Sequence, residues 1–208
     1  MTWLFNCFVK ATAWPIWAVV ARSQFHYEDR SRQGRKLKGK AIIISNHTSV
    51  WDFAAVMFAF PFRILRCVVA EIMFQKNPPM TFFLRGLGSI RVDRHSPDFA
   101  FIGKATSVLD QGGIVEIYPE SRIPDPGCKE LLPFKPSITY LALESDTPII
   151  PVYTDGNYFT KARNHLVVGA PIDVRQLYDD SHSEKENIAA ITEYLRGKIY
   201  ELRDQIPQ

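Results

Sequence analysis

His47 is followed five residues later by Asp52, within Asn46-His47-Thr48-Ser49-Val50-Trp51-Asp52. An imidazole held by a carboxylate at one nitrogen presents the other as a proton acceptor, and a substrate hydroxyl is a natural donor to it. On one uninterrupted helix, residues five apart lie well off a common face. The pairing therefore needs a strand ending near His47, then a turn, then a helix whose first turns carry Asp52. The same polar residues have a plainer use, since Asn46, Thr48 or Ser49 can each cap a helix start.

Arg91, Arg94 and His95 surround the exit of an alternating apolar segment at residues 89–93. Two guanidinium forks near one strand end suit a phosphate monoester. The alternative is a local ion pair between Asp93 and Arg94, common at surfaces and energetically minor. Further on, the apolar run 114–118 presents Glu120 and Arg122 in a loop stiffened by Pro119, Pro124 and Pro126. Such a loop is either a ligand clamp or a solvated turn. The five histidines show no paired-ligand spacing, so no metal site is predicted.

The elements that must position these groups alternate. Short β-branched runs at 41–45, 65–70, 89–93, 114–118, 147–153 and 165–169 read as strands. Residues 50–60, 71–88, 96–113 and 137–144 read as helices, with Pro78-Pro79 interrupting the second and Gly112-Gly113 closing the third. Ile188, Ile191, Leu195, Ile199 and Leu202 recur every three or four residues, which predicts an amphipathic C-terminal helix. Strands alternating with helices imply an α/β layer architecture; the expected fold is a mixed central sheet flanked by helices, assigned to residues 29–208.

Residues 1–28 are assigned to a membrane-associating helical segment. They hold three of the four tryptophans, at Trp3, Trp14 and Trp17, with Phe5 and Phe8. Asn6, Lys10 and Pro15 interrupt the apolar run, and no positive charge precedes Lys10, so neither an ordinary span nor a secretory signal is favoured. Aromatic-rich segments suit the bilayer interface. The expectation is one helix, or two broken near Pro15, lying in one leaflet; burial against the core is the alternative. Arg30, Arg32, Arg35, Lys36, Lys38 and Lys40 follow without an intervening acid, either as a solvated loop or facing a membrane surface. Net charge is only +3, which by itself gives no argument for nucleic acid, and none is expected as a partner. Cys7, Cys67 and Cys128 form no disulfide or zinc pattern and fit a reducing compartment.

Taken in order, Asn-His followed by Asp52, Gly88-Ser89-Ile90-Arg91-Val92-Asp93-Arg94, the Pro119-Glu120-Ser121-Arg122 loop, Leu132-Pro133-Phe134-Lys135 and Pro148-Ile149-Ile150-Pro151-Val152 resemble the four blocks of the glycerophospholipid acyltransferase family. The resemblance covers roughly residues 40–170. It implies that His47 is the general base for an acceptor hydroxyl and that Asp52 orients it. It further implies direct attack on the thioester of acyl-CoA or acyl-carrier protein, with no cofactor beyond that donor. Arg91, Arg94 and Arg122 would hold the phosphate of a lysophospholipid acceptor, 1-acyl-sn-glycerol 3-phosphate above all, with Glu120 positioning the loop. The resemblance fits association with a membrane, and the basic run at 30–40 points to its cytoplasmic face. A different acceptor headgroup, a thioesterase and a non-catalytic lipid-binding protein on the same fold are the competing readings. Two departures mark this chain: the third block is one residue shorter than Pro-Glu-Gly-Thr-Arg, with Ser121 where the family has glycine, and Arg91 stands at a position often apolar.

Overall fold

The computed structural model describes residues 2–93, 101–125 and 130–206. Arg94, His95 and Cys128 lie outside the described residues. The chain runs α1 (Thr2–Val20), β1 (Gln24–Tyr27), β2 (Ala41–Ser45), α2 (Asp52–Ala59), β3 (Leu65–Ala70), α3 (Glu71–Gln75), α4 (Pro78–Leu87) and β4 (Ile90–Val92). It continues with α5 (Ile102–Asp110), β5 (Ile114–Ile117), α6 (Ser137–Ser145), β6 (Ile149–Thr154), β7 (His165–Val168), a 3-10 turn (Val174–Leu177) and α7 (Glu184–Arg203).

The seven strands form one sheet in the order β1-β7-β6-β2-β5-β3-β4. All neighbouring pairs are parallel except β6–β7, which follow one another without an intervening helix, so the sheet is mixed, as expected. Strands of parallel sheets are buried on both faces and read as continuous apolar runs. In β2, Ile43 packs with Trp17 and Phe58 on one face, while Ile42 and Ile44 pack with Leu109, Leu141 and Leu195 on the other. The second face is closed by α5, α6 and α7. The predicted stripe of α7 is buried at all five positions. Burying each such side chain contributes roughly 1.5–3 kcal/mol. The helix starts at a capping box in which Ser183 and Glu186 satisfy each other's backbone amides.

Helix α1 covers part of the first face. It is a single helix through Pro15, which lies on the exposed side. Its inner stripe carries Asn6, Val9 and Trp17. The Asn6 side-chain amide donates to the Thr2 and Leu87 carbonyls, and Lys10 Nζ donates to the carbonyls of Phe60, Pro61 and Arg63 just past α2. Phe5 meets Phe82 and Phe83 of α4 edge-on. The outer side is apolar and open: Trp3, Leu4, Phe8, Ile16 and Val19 are each more than 60% exposed. Full burial against the core is thus not what this helix does. Among the described residues α1 is the helix long and apolar enough to cross a membrane by length and composition.

The assignment of residues 1–28 as a separate helical segment needs correction. Helix ends at Val20, and Gln24–Tyr27 form an edge strand of the central sheet, paired in parallel with β7. Backbone bonds from Gln24 to the Asn164 carbonyl and from Glu28 to the Val168 carbonyl extend that pairing at both ends. The polar sequence Gln-Phe-His-Tyr carries little apolar periodicity, and an edge position requires little.

Candidate active site

Strands β2, β5 and β6 end side by side, and their carboxyl ends carry the site, the usual place for ligands in α/β sheets. Asn46 joins two of them: its amide donates to the Thr154 carbonyl and its side-chain oxygen accepts from the Thr154 amide, both at 2.8 Å. His47 follows immediately. A turn through Ser49 then lets α2 begin at Asp52, so the five-residue spacing closes as the sequence requires.

His47 Nδ1 lies 2.8 Å from Asp52 Oδ2. Asp52 is fully buried, so its carboxylate must find its partners inside the protein. The Thr48 and Ser49 amides donate to Oδ2 at 2.7 and 2.8 Å. The Thr48 and Tyr158 hydroxyls donate to Oδ1 at 2.8 and 2.9 Å. With the imidazole, five donors fix this carboxylate at the start of α2, where the helix dipole also favours negative charge. The capping role and the orienting role are thus one arrangement, with Asp52 itself taking the two amides of the turn. Holding Nδ1–H on Asp52 leaves Nε2 as the acceptor nitrogen, and the side chain keeps partial access to solvent.

Tyr118 stacks on the His47 ring at 4.4 Å between centroids, 25° from parallel. Its hydroxyl donates to Glu116 Oε1 at 2.5 Å. Glu116 is 1% exposed on β5, and burial pushes its carboxyl up to about 8, so it is protonated at neutral pH. Gly156, at φ +72°, runs so close to Thr48 that a Cβ there would sit 2.4 Å from the Thr48 hydroxyl oxygen. None of Glu116, Tyr118, Gly156 or Tyr158 was singled out from the sequence.

The other predicted residues separate. Glu120 sits beside the pair, but both its oxygens are taken: Oε1 accepts from the His47 amide and Oε2 from the Leu132 amide, each at 2.8 Å. It therefore joins three chain segments rather than meeting an anion. Burial raises its carboxyl, and the same two amides oppose that shift. Ser121, at φ +62°, occupies the left-handed backbone that the family's glycine would adopt without strain. Arg122 follows, exposed, with no hydrogen bond or ion pair among the described residues. Arg91 is not brought to His47: it lies on the edge strand β4, three strands from β2, or roughly 14 Å by strand spacing. There it pairs with Glu71 at 3.3 Å. Arg94 lies outside the described residues.

A cleft of about 440 Å³ opens beside His47 on the α7 side, lined among others by Thr48, Glu120, Tyr153, Tyr200 and Arg203. Arg203 lies over the Tyr200 ring at 4.9 Å. Sequence reasoning missed it because it sits in an ordinary amphipathic helix about 150 residues from the pair it approaches. Among the described residues no group of three or more metal-ligating side chains is assembled.

Residues 22–155 match the family model described as Acyltransferase. The human protein named 1-acyl-sn-glycerol-3-phosphate acyltransferase beta is 28% identical over 138 residues, covering 65% of this chain and 49% of its own length. A Bacillus subtilis protein named 1-acyl-sn-glycerol-3-phosphate acyltransferase is 29% identical over 154 residues, covering 71% of this chain and 73% of its own. A Cocos nucifera protein of the same name is 30% identical, covering 71% of this chain and 49% of its own. The chain thus spans about half the length of the human and coconut relatives. In three dimensions it resembles the 1-acyl-sn-glycerophosphate (LPA) acyltransferase PlsC of Thermotoga maritima, with a TM-score of 0.67 at 19% identity, over all of this chain and 81% of that one. That likeness is one of fold. The matched segment runs from the turn before β1 through the end of β6 and contains His47, Asp52, Glu120 and Arg122; the chain belongs to the acyltransferase family.

Proposed function

We propose that the protein transfers a fatty acyl group from acyl-CoA or acyl-carrier protein to the free hydroxyl of 1-acyl-sn-glycerol 3-phosphate, giving phosphatidate. The observation that carries this reading is the 2.8 Å contact between His47 Nδ1 and a five-donor Asp52, which leaves Nε2 beside an open cleft. The relatives named for this activity agree with it.

In the proposed reaction the acceptor hydroxyl gives its proton to His47 Nε2 as its oxygen attacks the thioester carbonyl. Asp52 stabilises the imidazolium so formed. The tetrahedral adduct collapses with cleavage of the carbon–sulfur bond, and the proton passes from Nε2 to the departing thiolate. The products are an ester and a free thiol. Arg122, two residues beyond the clasp that Glu120 makes with His47, is proposed to meet the acceptor phosphate with its guanidinium fork. Arg203 offers a second cation across the cleft. Arg94 keeps its proposed phosphate role from the sequence alone.

The open apolar side of α1 supports docking on one leaflet, where Trp rings favour the interface. Substrate and product are both amphiphiles, so such docking would present them without extraction into water. The cytoplasmic face is proposed from the basic run at residues 30–40.

An acceptor panel tests the function. Lysophosphatidate, glycerol 3-phosphate and other lysophospholipids are each offered with acyl-CoA and with acyl-carrier protein, and products are read by mass. Transfer to lysophosphatidate is expected, and it disappears in His47→Ala while the fold, read by circular dichroism, persists. Full turnover by that variant would overturn the mechanism.

A further inference from the structure

Beside the catalytic pair stands a second exposed aromatic surface, separate in sequence from α1. Trp51, one residue before Asp52, meets Phe159 edge-on with ring centroids 5.0 Å apart. Val50, Trp51 and Phe159 are all exposed. Phe159 has φ +59°. A bulky side chain in the left-handed region is a genuine outlier, held there only where the surroundings impose it. Here the imposed conformation holds a phenyl ring in solvent, where a polar residue or glycine would be easier.

The surroundings are identifiable. Trp17 of α1 lies 6.2 Å from Phe159 and 5.6 Å from Tyr158. The Arg22 guanidinium donates to the carbonyls of Thr160, Lys161 and Ala162, tying the loop to the end of α1. The adjoining loop residues Lys161 and Arg163 are exposed, and residues 156–163 contain no acid. On the inner side of the same loop, Tyr158 donates its hydroxyl to Asp52. The loop therefore joins an outward ring and two outward cations to the carboxylate that orients the base.

We infer that Trp51, Phe159, Lys161 and Arg163 form a second membrane-contacting site, adjoining α1 at Trp17, whose occupant is the anionic surface of a phospholipid leaflet. The aromatic rings supply interfacial anchoring, and the two cations supply attraction to lipid phosphates. The surface rests on the membrane docking proposed above and extends it: the loop that reaches Asp52 through Tyr158, and not α1 alone, meets the leaflet.

The test uses the full chain and vesicles of phosphatidylcholine, with and without phosphatidylglycerol. Phe159→Gly removes the ring and the backbone strain together. It is expected to unfold no earlier than the parent, yet to bind both kinds of vesicle several-fold more weakly. Lys161→Glu/Arg163→Glu is expected to lose at least roughly thirtyfold in affinity for the anionic vesicles and little for neutral ones. Both variants should keep parental turnover on a short-chain, fully dissolved acceptor. Parental vesicle affinity in both variants would overturn this inference while leaving docking through α1 intact. Failure of the parent itself to bind vesicles would overturn both. Loss of affinity for acyl-carrier protein in the charge-reversed variant, with vesicle affinity unchanged, would assign the cations to the donor and also overturn it.

Discussion

The two faces of the sheet are covered by different material. Behind Ile42 and Ile44 the packing is mainly apolar, with a buried hydroxyl pair, Thr139–Thr192, between α6 and α7, and is sealed by α5, α6 and the five-residue stripe of α7. Behind Ile43, under α1 and α2, apolar side chains share the space with Asp52 and Glu116, both essentially without solvent contact. Desolvating such groups costs stability unless each finds partners. Asp52 has five donors and Glu116 keeps its proton. The contrast separates two tasks within one core: one face provides cohesion, the other holds polar groups at the His47–Asp52 pair.

The largest effect expected is on turnover alone. His47→Ala should lower the acyl-transfer rate by roughly a hundred- to ten-thousandfold with an unchanged melting temperature, measured by a thiol-release assay and differential scanning calorimetry. On the opposite face, Leu195→Ala should do the reverse. It should cost roughly 2–5 kcal/mol of stability in denaturant titration, with near-parental turnover per folded molecule. If either variant behaved like the other, the division between the faces would fail.

Glu116 sharpens the comparison through pH. Its folded-state value is about 8, against the ordinary 4.5. Between those values the native state keeps a proton that the unfolded chain has released. Stability from this group is therefore whole below about pH 4.5, falls as pH rises through the window, and levels off above about 8. Glu116→Gln removes the titration while retaining an acceptor for Tyr118. The variant should gain on the parent by an amount that grows with pH, on the order of a few kcal/mol by pH 8.5; parallel pH–stability curves would contradict the assignment. The smallest effect expected is at Ser121. Ser121→Gly should add about 1 kcal/mol by relieving positive φ, read as a small rise in melting temperature.

Much of this was legible in the sequence, for physical reasons. The strands at 41–45, 65–70 and 114–118 are compact apolar runs, and α7 carries a regular stripe with a Ser-x-x-Glu start. The His47–Asp52 contact was also accessible, because only a strand–turn–helix break satisfies a five-residue spacing. β1 was not, since an edge strand has little need of apolar residues. Tyr158 escaped notice because it reaches Asp52 from 106 residues away. Tyr118 escaped because a tyrosine at the end of an apolar run looks like any core residue. Arg91 was misplaced for a related reason: sequence order puts it between two site blocks, whereas sheet order moves β4 to the far edge.

Lys10 has a mechanical consequence. Its ammonium reaches the carbonyls of Phe60, Pro61 and Arg63, and burial brings it down to about 8. It works as a latch at mid-helix, fastening α1 lengthwise along the domain. Turning that helix upright through a bilayer would tear a cation from three oxygens and leave it stranded in hydrocarbon. Any change in the tilt of α1 against the domain must first open this latch.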